Sequence, residues 1–252
     1  MCGWPGLRDL PRVRHPVVRS VGHSEISEVT MLFVFDVNET LLDLAALDAA
    51  FTELTGSPHA RREWFDLAIH TVLTVTAAGG YRDFFQIASD SAAAVVDAHG
   101  RAAGADELHA VLAGMRTMPA HPDVLAGLAR LASGGVRLVA LTNSPLTSAR
   151  AQLANAGLGA AFETVFSAEQ AGILKPARAA YRMVTDILGV TPADATMVAA
   201  HGWDVAGARA AGLNTAFVAR PGRRPLPGEP RPTWIASDLG VLADQVLTSP
   251  GA

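Results

Sequence analysis

The sequence predicts an α/β protein with a doubly wound, Rossmann-like parallel sheet and a helical cap inserted after the first strand. Three observations carry that expectation. Residues 31–35 (MLFVF) form an unbroken apolar run that stops at Asp36, the mark of a strand buried on both faces. From residue 122 onward, short apolar runs alternate with amphipathic stretches, and strands alternating with helices pair in parallel through right-handed crossovers. Between these regions, residues 44–117 read as helix, with no strand pattern interrupting them.

The cap is expected to hold helices at 44–54, 62–76, 81–99 and 105–115. Turn signals separate them: Gly56, Ser57 and Pro58, then Gly79 and Gly80, then Gly100 and Gly104. Pro119 to Pro122 closes the block. The core then continues as a helix at 122–131, a strand at 136–141, a helix at 146–156, a strand at 164–167 and a helix at 177–188. Gly189 is placed to cap that helix, and Thr191 with Pro192 reads as an N-cap followed by a first-turn proline. Strands at 196–199 and 215–218 and a last helix at 238–247 complete the series. The expected core is therefore 31–43 with 118–252, and the cap 44–117.

Residues 1–30 are rich in Pro, Arg and Gly, lack periodicity and lack the long apolar core of a secretion signal. They read as a mostly unstructured extension. Because Met31 opens directly into the first strand, a start at Met31 with residues 1–30 untranslated stays open beside that reading.

Bulk properties narrow the function classes. Half of the 252 residues are hydrophobic, yet no uncharged apolar run approaches the roughly 18 residues a membrane span needs. A formal charge of -4, with scattered Lys and Arg, offers no cationic field for nucleic acid. The single cysteine, Cys2, excludes an intramolecular disulfide framework and a thiolate zinc site, which fits a reducing cytoplasm.

The strand ends carry the candidate chemistry. Asp36 stands at the C-terminal end of a parallel strand, where open α/β sheets bind ligands, and Thr40 follows inside a tight polar turn. The strand ending at Thr142 runs into Asn143 and Ser144 at a helix start, a natural anion cradle. Lys175 precedes a helix that carries Tyr181; a lysine beside two carboxylates stays charged and stabilises them. In MVAAHGWD (197–204), a strand ends near His201 and Asp204 opens the next helix. Each residue has a duller reading as a cap, a solvated charge or packing, but their order along the chain favours a site. Trp64, Phe65, Tyr81, Phe84 and Phe85 read as core or as an apolar pocket wall. His70, His99 and His109 read as surface or packing residues.

The motif from Met31 to Asp43 (MLFVFDVNETLLD) resembles the first signature of the haloacid dehalogenase superfamily, and the later strand ends follow that superfamily's order. The match is most similar to the L-2-haloacid dehalogenases (haloacid dehalogenase type II), both in DVNETLLD and in the Trp203–Asp204 pair. The resemblance implies that Asp36 displaces halide from C2 and forms an aspartyl ester, which water then hydrolyses. It assigns Thr40 a hydrogen bond near Asp36, Thr142 and Asn143 the substrate carboxylate or halide, Lys175 the steadying of Asp36, and Asp204 the activation of water. Tyr181 would pack or contact substrate. It also implies a halogenated carboxylic acid as substrate, no cofactor, and a homodimer.

Phosphatases of the superfamily carry a second aspartate where this chain has Asn38, which cannot donate a titratable proton. They commonly add an acid where Ala200 stands. Only Asp36 and Asp204 remain as hard ligands, few for Mg²⁺, so metal-free displacement at carbon is favoured. A Mg²⁺-dependent phosphatase and a catalytically idle carboxylate- or protein-binding member remain as alternatives. The family's asparagine beside the last motif is replaced by His201, which could act as a base. Its halide-binding cap arginine aligns with Phe65, leaving Arg61, Arg62 and Arg82 as possible substitutes.

Overall fold

In a computed structural model, residues 31–248 are described. The extension and Cys2 lie outside them. Six parallel strands form one sheet: β1 (Leu32–Phe35), β2 (Arg137–Thr142), β3 (Thr164–Ser167), β4 (Ala195–Ala199), β5 (Asn214–Val218) and β6 (Trp234–Ala236), in the order β3-β2-β1-β4-β5-β6. The β1 strand lies between β2 and β4, so both its edges are paired, and with helices packed on both faces of the sheet all four of its residues are buried. Alternation along a strand sends Leu32 and Val34 to one face and Phe33 and Phe35 to the other.

On the Phe33 face pack α5 (Val124–Ser133) and α9 (Leu239–Leu247), through Leu128, Leu131, Leu242 and Val246. On the opposite face lie α7 (Arg178–Leu188) and α8 (Gly202–Ala210), through Tyr181, Val184, Val205 and Ala208. Helices on both faces of a parallel sheet make the expected doubly wound arrangement. A further helix, α6 (Leu146–Asn155), follows β2.

Between β1 and α5 the named elements are all helical: α1 (Asp48–Thr55), α2 (Ala60–Ala77), α3 (Phe84–Ala98) and α4 (Ala105–Ala113), with 3₁₀ turns at Leu44–Leu47 and Gly114–Thr117. The α2 and α3 helices are joined by Trp64, whose ring stacks on Phe51 at 4.8 Å and whose indole N–H donates to the Ala88 carbonyl at 2.8 Å. Each such buried aromatic contributes on the order of 2 kcal/mol through burial. Among the described residues no helix is long and apolar enough to cross a membrane.

The departures from expectation have local causes. The helix expected at 81–99 begins at Phe84 because Asp83 caps it, accepting from Gln86 N–H at 3.0 Å. The one expected at 44–54 splits into a 3₁₀ turn and α1. Thr191 makes no side-chain cap, and only a 3₁₀ turn (Pro192–Asp194) follows it. Gly189 does cap α7, with φ 64. The β6 strand was not expected, since three residues at a sheet edge behind a proline-rich stretch give no readable period. His99 pairs with Glu63 at 2.6 Å rather than standing alone.

Candidate active site

The tips of β1, β2 and β4 converge because these strands are neighbours in register. Phe35 pairs with Ala140 on one side and Val198 on the other, so Asp36, Thr142 and the 200–204 segment arrive together. The Asp36 amide continues the ladder, donating to the Val198 carbonyl at 3.0 Å. Asp36 is buried, and every polar contact of its carboxylate is charged or directed. Lys175 Nζ donates to Oδ1 at 2.8 Å; Thr40 Oγ1 at 2.7 Å and His201 Nδ1 at 3.1 Å meet Oδ2.

Lys175 is itself fully buried and also donates to Asp204 Oδ2 at 2.7 Å and to the Leu141 carbonyl at 3.0 Å. All three of its protons are thereby placed. Asp204 accepts at Oδ1 from the Tyr181 hydroxyl at 2.6 Å. Gly207 allows this closeness: a Cβ there would fall 2.5 Å from Pro176 and 2.7 Å from the Tyr181 oxygen.

Burial and charge pull these groups in opposite directions. Burial would raise the Asp36 carboxyl, but Lys175 and His201 outweigh it and hold the carboxyl well below the usual carboxylate range. Burial, joined by the negative charge of Asp36, leaves Asp204 raised despite Lys175. Burial likewise opposes the Lys175 charge, yet Asp204 and Asp36 together raise its pKa. Asp36 is thus an ionised, buried carboxylate.

His201 bridges two carboxylates, with Nε2 at 2.9 Å from Glu39 Oε2. Burial disfavours its charge, but the hydrogen bonds to Asp36 and Glu39 raise its pKa to about 9. The free site therefore holds an imidazolium at neutral pH, not the ready base that the sequence allowed. Glu39 in turn is gripped by Arg223, whose Nη2 donates to Oε1 at 2.9 Å and whose Nε lies 2.7 Å from Oε2. Its carboxyl sits at about 2, burial being overcome by His201 and Arg223.

Above Asp36 lies a chamber of about 20 Å³. Asp36, Asn38, Thr142, Asn143, Lys175, His201 and Trp203 line its strand-tip side; Phe65 and Ile69 from α2 and Phe84 from α3 line the other. That volume holds about one water. Ile69, His201 and Trp203 separate it from an outer pocket of about 340 Å³, whose wall includes Asp66, His70, Arg223 and Arg224.

Several expected site residues are thus together: Asp36, Lys175, His201, Thr142, Asn143 and Phe65 share the chamber. Tyr181, Thr40 and Asp204 do not line it. Tyr181 is turned to Asp204, and Thr40 is held between Asp36 and the Ala200 amide, which donates to its hydroxyl at 2.9 Å. The Asn143 side chain clamps the backbone of Lys175, accepting from its N–H at 2.8 Å and donating to its carbonyl at 3.2 Å. Thr142 Oγ1 accepts from Ser144 N–H at 3.1 Å. Asn38 donates to Ser144 Oγ at 3.1 Å and accepts from Gln152 at 3.3 Å, so its amide ties the loop to α6.

None of the three candidate arginines lines the chamber. Arg61 pairs with Asp48 and Glu39, Arg82 pairs with Asp90, and Arg62 lies against Gly222. The guanidinium that stands over Phe65, at 5.7 Å, is Arg223 from the loop after β5. Sequence reasoning missed Arg223, which sits in an irregular, Pro- and Arg-rich segment, and Glu39, hidden inside the first motif.

Asp36, His201 and Asp204 offer ligand atoms within 4.8 Å of one another, but the set does not suit Mg²⁺. An imidazole whose two nitrogens both donate to carboxylates has no lone pair to give, and the Lys175 ammonium already occupies one oxygen of each carboxylate. Two carboxylates alone fall short of octahedral oxygen coordination.

The haloacid dehalogenase-like hydrolase family profile matches residues 30–212, and the chain belongs to that family. It is 29% identical over 189 residues to an (S)-2-haloacid dehalogenase of Xanthobacter autotrophicus, covering 74% of each chain. It is 27% identical to (S)-2-haloacid dehalogenase 1 of Pseudomonas sp. (strain CBS-3), covering 74% of this chain and 83% of that one. The solved L-2-haloacid dehalogenase of Xanthobacter autotrophicus superposes with a TM-score of 0.82 at 25% identity, covering 88% of this chain and 100% of that one.

Proposed function

We propose that this haloacid dehalogenase-like hydrolase removes halide from a short 2-haloalkanoic acid through a covalent ester on Asp36. The observation that carries the proposal is the state of Asp36: an ionised carboxylate in a buried chamber, steadied by a lysine and unaided by any acid at position 38. Displacement at an sp³ carbon needs an anionic nucleophile and no proton for the leaving halide. Phosphoryl transfer would need a cation on the transferred oxygens, which this donor set does not suit. The dehalogenase relatives support the same chemistry.

In this reading one Asp36 oxygen attacks C2 from behind, and halide leaves with the bonding pair, inverting the centre. Thr142 keeps its hydroxyl proton for the substrate carboxylate, since its oxygen only accepts from Ser144 N–H. Asn143 acts by fixing the Lys175 loop, and Tyr181 and Asp204 act by fixing the ammonium. Phe65, Ile69 and Phe84 exclude water, with residues 44–117 as the cap that carries them. A three-carbon acid exceeds a one-water chamber, so the cap must move to admit it.

Incubation with the two enantiomers of 2-chloropropionate tests the proposal. Chloride release from one enantiomer only, unaffected by EDTA, is the expected result. Absence of chloride from both, with EDTA-sensitive hydrolysis of a small phosphate ester, would overturn it.

A further inference from the structure

We infer that Glu39, His201 and Asp36 form a proton relay that is silent while Asp36 is a free carboxylate and is armed by its conversion to an ester. His201 then removes the proton of the hydrolytic water, with Glu39 orienting it. The inference rests on the proposed alkylation of Asp36 and concerns the second half of that reaction.

Both ring nitrogens of His201 face carboxylate oxygens, Asp36 Oδ2 at 3.1 Å and Glu39 Oε2 at 2.9 Å. A carboxylate only accepts, so each nitrogen must bring a proton and the ring is an imidazolium. Its orientation is fixed by stacking on Trp203, with centroids 5.3 Å apart, and by Phe65 at 5.8 Å. Glu39 is held in the left-handed region at φ 62, an unfavourable conformation for a residue with a side chain. That backbone lies in the turn whose carboxylate meets both His201 and Arg223.

Alkylation neutralises Asp36 but leaves Glu39 anionic, because Arg223 still grips it. The imidazolium then loses one of its two anions while Lys175 continues to face it across Asp36. The other charged or titratable groups around the ring are Asp204 beyond Lys175, Arg61 behind Glu39, and Asp66, His70 and Arg224 around the outer pocket. None replaces the lost carboxylate at Nδ1. The Nδ1 proton therefore leaves through the outer pocket that His201 borders, and Nε2–H still donates to Glu39.

A neutral imidazole oriented by a carboxylate and facing an ester is the arrangement of a general base. Water gives a proton to Nδ1 and its oxygen to the Asp36 carbonyl carbon. The tetrahedral adduct breaks the bond to the oxygen that had attacked C2, and its new hydroxyl proton passes to the departing alkoxide. Asp36 is again a carboxylate beside an imidazolium, so one halide, one proton and one 2-hydroxy acid appear per water consumed. Asp204 is less suited to this task, since its oxygens accept from Lys175 and Tyr181 and it does not line the chamber. His201 is thus a catalytic residue of the second step, and Glu39 a positioning residue.

Rapid-quench turnover of 2-chloropropionate, followed by intact mass and chloride release, tests the relay. In wild-type protein, decay of the ester is expected to quicken with pH to a plateau, while the chloride burst is not. His201→Gln is expected to keep a stoichiometric burst but hydrolyse the ester at least about 10²-fold more slowly, so that the adduct accumulates. Glu39→Gln should slow ester decay less and move its pH midpoint to the acid side, a shift that mere loosening of the turn would not produce. Ester decay in His201→Gln at the wild-type rate, or pH-independent decay in the wild type, would overturn the relay alone. An absence of ester and chloride in the wild type would overturn the dehalogenation proposal and the relay with it.

Discussion

The two walls of the chamber are built on opposite principles. The strand-tip wall concentrates Asp36, Lys175 and His201, with Asp204 behind, in a buried cluster where each charge has a partner of opposite sign. The helical wall offers Phe65, Ile69 and Phe84 and no charge. Charge so deep is stable only as a set, because desolvating an ion costs several kcal/mol unless its partner stays in place. The difference separates a charged wall built on the sheet from an apolar wall built on α2 and α3. The walls meet at a rim, where Arg223 links Glu39 to Asp66 of α2 at 3.2 Å.

Substitutions that break the charged wall should have the largest effects. Asp36→Asn removes the proposed nucleophile and should lower chloride release by about 10⁴-fold or more in a steady-state assay. Lys175→Met strands two carboxylates in a low-dielectric interior; loss of turnover and about 3–5 kcal/mol of stability are expected from denaturant titration. On the apolar wall the cost should fall on packing. Phe65→Ala is expected to cost about 3 kcal/mol while turnover persists with a raised KM. Arg223→Ala at the part-buried rim, which leaves Glu39 without its guanidinium, should cost about 2 kcal/mol by the same titration.

Stability against pH sharpens the comparison, since only the charged wall titrates. Glu39, lowered from 4.5 to about 2, contributes fully above 4.5 and loses that contribution as pH falls toward 2; Asp36 acts in the same sense. His201, raised from 6.5 to about 9, contributes fully below 6.5 and loses its share as pH rises toward 9. The denaturant midpoint should therefore be highest between these limbs, and His201→Gln should flatten the alkaline one.

The charged wall was also the more legible in the sequence. A buried parallel strand must end at the ligand crevice, so Asp36 and Thr142 could be placed from the apolar runs and their breaks, and Lys175 from the helix start it precedes. The apolar wall was ambiguous, because Phe65 and Phe84 lie at helical spacing that serves a core equally well. Glu39 and Arg223 were invisible for another reason: a left-handed turn residue and a guanidinium from an irregular loop carry no period. The state of His201 depended on both, since a second carboxylate on its far nitrogen is a tertiary fact. The role of Tyr181 turned on the close approach at Gly207, which no local pattern announces.

The central claim is that Asp36 bonds to carbon and is regenerated by water at its own carboxyl. A single turnover in H₂¹⁸O, followed by peptide mass spectrometry, reads it directly. ¹⁸O is expected in the Asp36 carboxylate, with unlabelled 2-hydroxy acid from that first turnover. Label in the hydroxy acid with none in Asp36 would contradict it, because water would then have attacked C2 itself.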